Sequence, residues 1–104
     1  MESFGKLILT TSGGHEQEYV LEKSRFDIGR GALNDISLAD AKVSRAHARL
    51  ECSAEGCILV DLGAANGMSV NGKRVDRLLL TPGDVIALGD SRLRFEAGAP
   101  QFSQ

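Results

Sequence analysis

Two Asn-Gly pairs, Asn66-Gly67 and Asn71-Gly72, leave only Met68-Ser69-Val70 between them. Each pair supplies the positive φ that a tight turn demands, and Asn-Gly is the strongest short hairpin signal in a sequence. A helix has no room there, and similar punctuation runs through the chain. Residues 6–11 form a β-branched, apolar run that stops at Ser12-Gly13-Gly14. Residues 18–21, 25–28, 36–38, 57–60, 78–80, 85–88 and 93–95 are further short runs, with Gly29-Arg30-Gly31, Pro82-Gly83-Asp84 and Gly89-Asp90 as loops or turns. Brief strands at this spacing point to a sandwich or barrel. The expected fold is all-β: a single sandwich of short antiparallel strands, with its ligand loops clustered at one end.

One segment pulls two ways. Residues 39–50 are rich in Ala, Lys and Arg, which favour helix by propensity. Yet Ala46, Ala48, Leu50 and Cys52 alternate with His47, Arg49 and Glu51, the period of a half-buried strand. Gly56 then turns the chain into residues 57–60, so a hairpin accounts for both halves. The spacing predicts a strand beginning near His47.

At 104 residues the chain is expected to form one domain, residues 1–96, followed by an aperiodic linker-like tail at 97–104. Its net charge of -2 argues against a general nucleic-acid binder. The charge is unevenly spread. Between Lys23 and Arg49 six Lys or Arg face three Asp, a basic window in an acidic chain. Such a patch fits a small anionic partner better than a polyanion. No apolar run reaches the roughly 18 residues that span a bilayer, and no signal-peptide pattern opens the sequence. The expectation is a cytoplasmic protein with no membrane partner. Cys52 and Cys57 could face each other across a hairpin tip, but a reducing compartment favours free thiols, and these are expected. His15 and His47 lack zinc-ligand spacing, so neither a metal nor another cofactor is anticipated.

The candidate site lies between Gly29 and Asn71. Arg30, flanked by Gly29 and Gly31, offers a planar fork of donors that stays charged at physiological pH and matches phosphate. Ser44 adds a hydroxyl, and Lys42 and Arg45 add charge beside it. Ser44 and His47 have the look of a nucleophile and base, but a dyad is defined by geometry and by an orienting acid, not by spacing. His47 reads better as a structural histidine holding the Ser44 loop, and no catalytic residue is assigned.

Together, Gly29-Arg30, Asn34-Asp35-Ile36, Val43-Ser44-Arg45-x-His47, Asp61-Leu62-Gly63-x-x-Asn66-Gly67 and Val70-Asn71-Gly72 resemble a forkhead-associated (FHA) domain. Pro82-Gly83-Asp84-Val85-Ile86 and Leu88-Gly89-Asp90 are similar to that family's C-terminal pattern, so the resemblance spans roughly residues 6–96. It implies about eleven strands and a non-enzymatic module that binds phosphothreonine peptides in Ser/Thr kinase signalling, its partner being a kinase or a kinase substrate. It also implies that Arg30 and Ser44 grip the phosphate, with Arg45 and Lys42 supplementing them, and that Asn66 holds the peptide backbone. Gly29, His47, Gly67 and Asn71 would support the site. Ala64-Ala65 departs from the family, which usually has a hydroxyl or longer polar residue just before the Asn. Met68 stands where a Thr is common. These departures keep open an alternative, a phosphate-independent interaction or scaffold domain on the same fold.

Overall fold

The computed structural model describes residues 4–11 and 13–97. Eleven strands run in order: β1 (Lys6–Thr10), β2 (Glu16–Val20), β3 (Arg25–Gly29), β4 (Ile36–Ser37), β5 (Ala48–Ser53), β6 (Gly56–Asp61), β7 (Ser69–Val70), β8 (Lys73–Arg74), β9 (Arg77–Leu79), β10 (Val85–Leu88) and β11 (Ser91–Glu96). Two sheets face each other, one ordered β2-β1-β11-β10-β7-β8 and the other β4-β3-β5-β6-β9. The β-sandwich expected from the turn spacing is therefore the fold. Residues 98–104, most of the anticipated tail, lie outside the described residues.

Alternation explains the core. Ala48, Leu50 and Cys52 of β5 point inward while Arg49 and Glu51 point out, and Leu93 and Phe95 of β11 do the same opposite Leu7 and Leu9 of β1. Burying one face of each sheet fixes the strand register, because a one-residue slip would turn every core side chain to water. In the Asn71-Gly72 turn both residues have positive φ, 53° and 86°, and the turn joins Val70 directly to its partner Lys73. That is the geometry expected of a two-residue hairpin loop. The polar strand β8 that follows carries no apolar signal in the sequence.

Three details depart from the sequence reading. The strand expected from near His47 begins at Ala48, and His47 is fully buried while Ala46 is exposed, so the alternation starts one residue late. β3 and β4 pair in parallel, Ile28 opposite Ile36, because the loop at 30–35 doubles back on itself. Finally, Cys52 and Cys57 form a disulfide rather than free thiols. A two-residue turn places them directly opposite each other, 4.0 Å apart at Cα, with both side chains in the core. That register, not the compartment, puts the sulfurs within bonding reach.

Three carboxylates tie loops to strands and give the fold an acid limit. Asp84 accepts hydrogen bonds from the Thr81 N–H and from Asn71 Nδ2, both at 2.8 Å. The Thr81 donor, above all, holds its carboxyl below the usual range, with Asn71 assisting against the opposing effect of burial. The Lys23 ammonium does the same for Asp35, followed by the Asp27 N–H. At Asp40 burial is the largest influence and pushes upward, but donors from Lys42, Asp90 and Ser91 together outweigh it and the net direction is down. A carboxyl depressed by folding contributes stability above its unfolded value, and that stability is lost as pH falls through the folded value. The melting temperature should therefore hold from neutral pH to about 5 and fall below about 4. Asp84→Asn should flatten that acid limb, as a scan of melting temperature against pH would reveal.

Candidate functional site

Three loops meet at one end of the sandwich: residues 30–35, 38–47 and 62–68. The middle loop is anchored in the core by Leu38 and Val43, both nearly inaccessible to solvent. Its outer arm is held by Asp40, which accepts from the Lys42 N–H at 2.9 Å, the Asp90 N–H at 2.8 Å and Ser91 Oγ at 2.9 Å. One carboxylate thus locks this loop to the β10–β11 turn of the other sheet. Ser44 and Arg45 follow directly on the buried Val43.

Backbone bonds bring Arg30 to that point. The Arg30 N–H donates to Ser44 O at 2.9 Å and the Gly31 N–H to Arg45 O at 3.2 Å. Asn34 Nδ2 donates to both Gly31 O (2.8 Å) and Arg45 O (2.7 Å), closing the first loop onto the second. The exposed Arg30 side chain donates from Nε to Val43 O at 3.0 Å. That bond fixes the plane of the guanidinium and leaves its two terminal nitrogens for a ligand. Gly29 is required by proximity, since a Cβ there would run into the Arg45 carbonyl.

His47 joins the second loop to the third. Its Nδ1 accepts from the Ser44 N–H at 3.1 Å, so Nε2 carries the proton and donates to Gly67 O at 2.6 Å. Both ring nitrogens are committed to backbone. Ser44 Oγ does not meet the imidazole and instead accepts from the Ala65 N–H at 3.3 Å, its own proton remaining to donate. The arrangement lacks the nucleophile–base hydrogen bond that acyl-transfer chemistry requires. Asn66 Nδ2 donates to Lys42 O at 2.7 Å, which orients the amide. Its Oδ1 and second N–H are the acceptor and donor that a peptide backbone needs.

Comparison with known proteins decides the family. A family model described as "Inner membrane component of T3SS, cytoplasmic domain" matches residues 11–99 and is a related FHA-type domain. The glycogen accumulation regulator GarA of Mycobacterium tuberculosis (strain ATCC 25618 / H37Rv) is 36% identical over 83 residues, which is 80% of this chain and 51% of that protein. The oxoglutarate dehydrogenase inhibitor of Corynebacterium jeikeium (strain K411) is 30% identical over 100 residues, covering 96% of this chain and 69% of that protein. A structure from work described as "Structural and functional analysis of phosphothreonine-dependent FHA domain interactions" superimposes with a TM-score of 0.79 at 33% identity, over 88% of this chain and 95% of that one. The chain belongs to the FHA family. It spans about half the length of the GarA proteins it matches.

Within this FHA domain, Arg30, Ser44, Asn66, Gly29, His47 and Gly67 are brought together by the bonds just described. Arg45 contributes twice, its carbonyl pinning the first loop while its exposed side chain lines an open groove of about 650 Å³ with Arg30. Lys42 lies on the other flank. Its Nζ is 3.2 Å from Asp90 Oδ1, and it lines a second groove of about 520 Å³ with Asn66, Arg74 and Arg92. Asn71 stands apart from these loops. It donates to Asp84 Oδ1 and accepts from the Val85 N–H at 3.0 Å, at the start of β10, and so shapes the β7–β8 hairpin.

The two departures from the FHA pattern differ structurally. Ala65 keeps a backbone role through Ser44 Oγ but presents no polar side chain to a ligand. Met68 is buried in the core, so its position offers bulk to the sandwich and no hydroxyl to the loop. Sequence reasoning assigned no role to Asn34 or Asp40. The signal for Asn34 was the Asn34-Asp35 pair at a turn, since Asn side chains commonly satisfy loop carbonyls and amides. For Asp40 there was none, because its partners Asp90 and Ser91 lie some fifty residues away.

Proposed function

We propose that this FHA domain is a non-catalytic reader of phosphothreonine in proteins modified by Ser/Thr kinases. What carries the proposal is the convergence of Arg30, Ser44 and Asn66 on adjoining loops cross-tied by His47 and Asn34. A phosphoryl group brings about -1.5 to -2 charge and three acceptor oxygens. The Arg30 guanidinium and the Ser44 hydroxyl supply donors on one side, and Asn66 holds the peptide backbone beside the phosphate. Arg45 and Lys42 add positive charge on the two flanks. Gly29, His47 and Gly67 keep the loops in place, and Asn71 supports them from the neighbouring hairpin. The binding unit is residues 1–96, it acts in the cytoplasm where such kinases work, and its partner is a kinase or one of its substrates. Nucleic acid and membrane have no part in this reading. The phosphothreonine-dependent interactions named for the similar FHA structure support it.

Ala65 and Met68 support a second reading, a scaffold that binds partners regardless of phosphorylation. Titration against one peptide library in phosphothreonine, phosphoserine and unmodified threonine forms separates the two. Saturable binding to the phosphothreonine form alone, weakened by salt, is expected. Equal affinity for all three forms would select the scaffold.

A further inference from the structure

The groove that begins at Arg30 and Arg45 continues beyond the loops, down the outer face of the β4-β3-β5-β6-β9 sheet. Arg25 and Arg49 line that continuation, with Leu33 and Leu62 at its mouth. The register accounts for their placement. Arg25, Asp27 and Gly29 share the outer face of β3, while Arg49 stands opposite Asp27 and Glu51 opposite Arg25 on β5. Four arginines thus share one carboxylate within the groove, Asp27, with Glu51 at its rim. The pairing is loose. Arg25 Nε is 3.4 Å and Arg49 Nε 3.5 Å from the same Asp27 oxygen, and Arg49 Nε is buried without an aligned hydrogen bond. Arg49 Nη1 reaches Glu51 only at 3.9 Å. With Arg30 and Arg45 assigned to the phosphate, Arg25 and Arg49 match Asp27 and Glu51 in number, but these carboxylates satisfy their guanidinium donors poorly.

We infer that this strip is a second subsite, which takes an acidic stretch of the same peptide whose phosphothreonine occupies the loops. The inference rests on the phosphothreonine reading above. The poorly satisfied donors of Arg25 and Arg49 select a carboxylate-bearing occupant, and spacing selects the positions. A strand rises about 3.3 Å per residue, so the level of Asp27 and Arg49 lies about 7 Å, and Arg25 about 13 Å, below Gly29. An extended peptide has the same rise, which places acidic residues about two and four positions from the phosphothreonine.

The test uses three phosphothreonine peptides: one with neutral flanks, one with Asp two and four positions before the phosphothreonine, and one with Asp two and four positions after it. Fluorescence anisotropy is measured with the native chain, Arg25→Gln and Arg49→Gln, and the readout is each acidic peptide's affinity divided by that of the neutral one. One of the two acidic peptides should gain roughly fivefold, the scale of two exposed ion pairs, and either substitution should reduce that gain. Arg25 is more than half exposed, so its variant should keep the fold even if Arg49→Gln does not. A gain that survives Arg25→Gln undiminished, or no gain in either acidic peptide while the neutral phosphopeptide binds, would overturn the subsite alone. A neutral phosphopeptide binding no better than its unphosphorylated form would overturn the phosphothreonine reading and the subsite together.

Discussion

Arg30→Ala should weaken phosphothreonine-peptide binding about 100-fold while the domain stays folded. Hydrogen bonds to a charged group are worth roughly 1.5–3 kcal/mol each, so losing a two-pronged contact removes about 3 kcal/mol or more. The cost to the fold is smaller. Arg30 is exposed, and its one internal side-chain bond among the described residues is Nε to Val43 O. Removing that bond costs about 1 kcal/mol, or a fall of about 5 °C in melting temperature. Arg30→Lys separates charge from geometry. Lysine keeps the charge but presents a point donor without the planar fork, so about tenfold of the loss should remain. Calorimetric titration of the three proteins, with circular dichroism as the folding control, checks both steps. Unchanged affinity in a folded Arg30→Ala would remove Arg30 from the site.

The strands were legible because turn residues bracket them, and the Asn71-Gly72 hairpin could be placed to the residue. Positive φ is a local property, and local properties are written in sequence. The order of the site residues was legible too, since Arg30, Ser44, His47 and Asn66 are separated by gaps that a family resemblance can match. What escaped depends on partners distant in the chain. Asp40 gains its role only when β10 and β11 bring Asp90 and Ser91 alongside it. The disulfide follows from register rather than from composition. Arg25 and Arg49 are ordinary surface charges until β3 and β5 pair, and only then does a basic strip join the loops that hold Arg30. For His47 the structural role was legible, and its ring does bond the Ser44 N–H and Gly67 O, but alternation put it on the polar face and missed its burial.

That burial makes His47→Ala a damaging change for the fold. The side chain is fully buried, and truncation would leave both a void and two unpaired backbone groups, the Ser44 N–H and Gly67 O. Cavity formation and an unsatisfied buried donor or acceptor each cost 1 kcal/mol or more, so about 3 kcal/mol in all is expected. In a domain of this size that lowers the melting temperature by about 15 °C. Binding should suffer as well. His47 is what joins the Ser44 loop to the Asn66-Gly67 turn, and without it the phosphate grip and the backbone grip lose their fixed separation. Measured below the melting transition, phosphopeptide affinity should fall about tenfold, because two contacts that must act together are no longer pre-positioned. A catalytic histidine would behave differently, since its loss would abolish turnover and spare stability. Thermal unfolding therefore discriminates: a His47→Ala domain that melts within a degree or two of the native one would refute the role of this residue as the pin between the two loops.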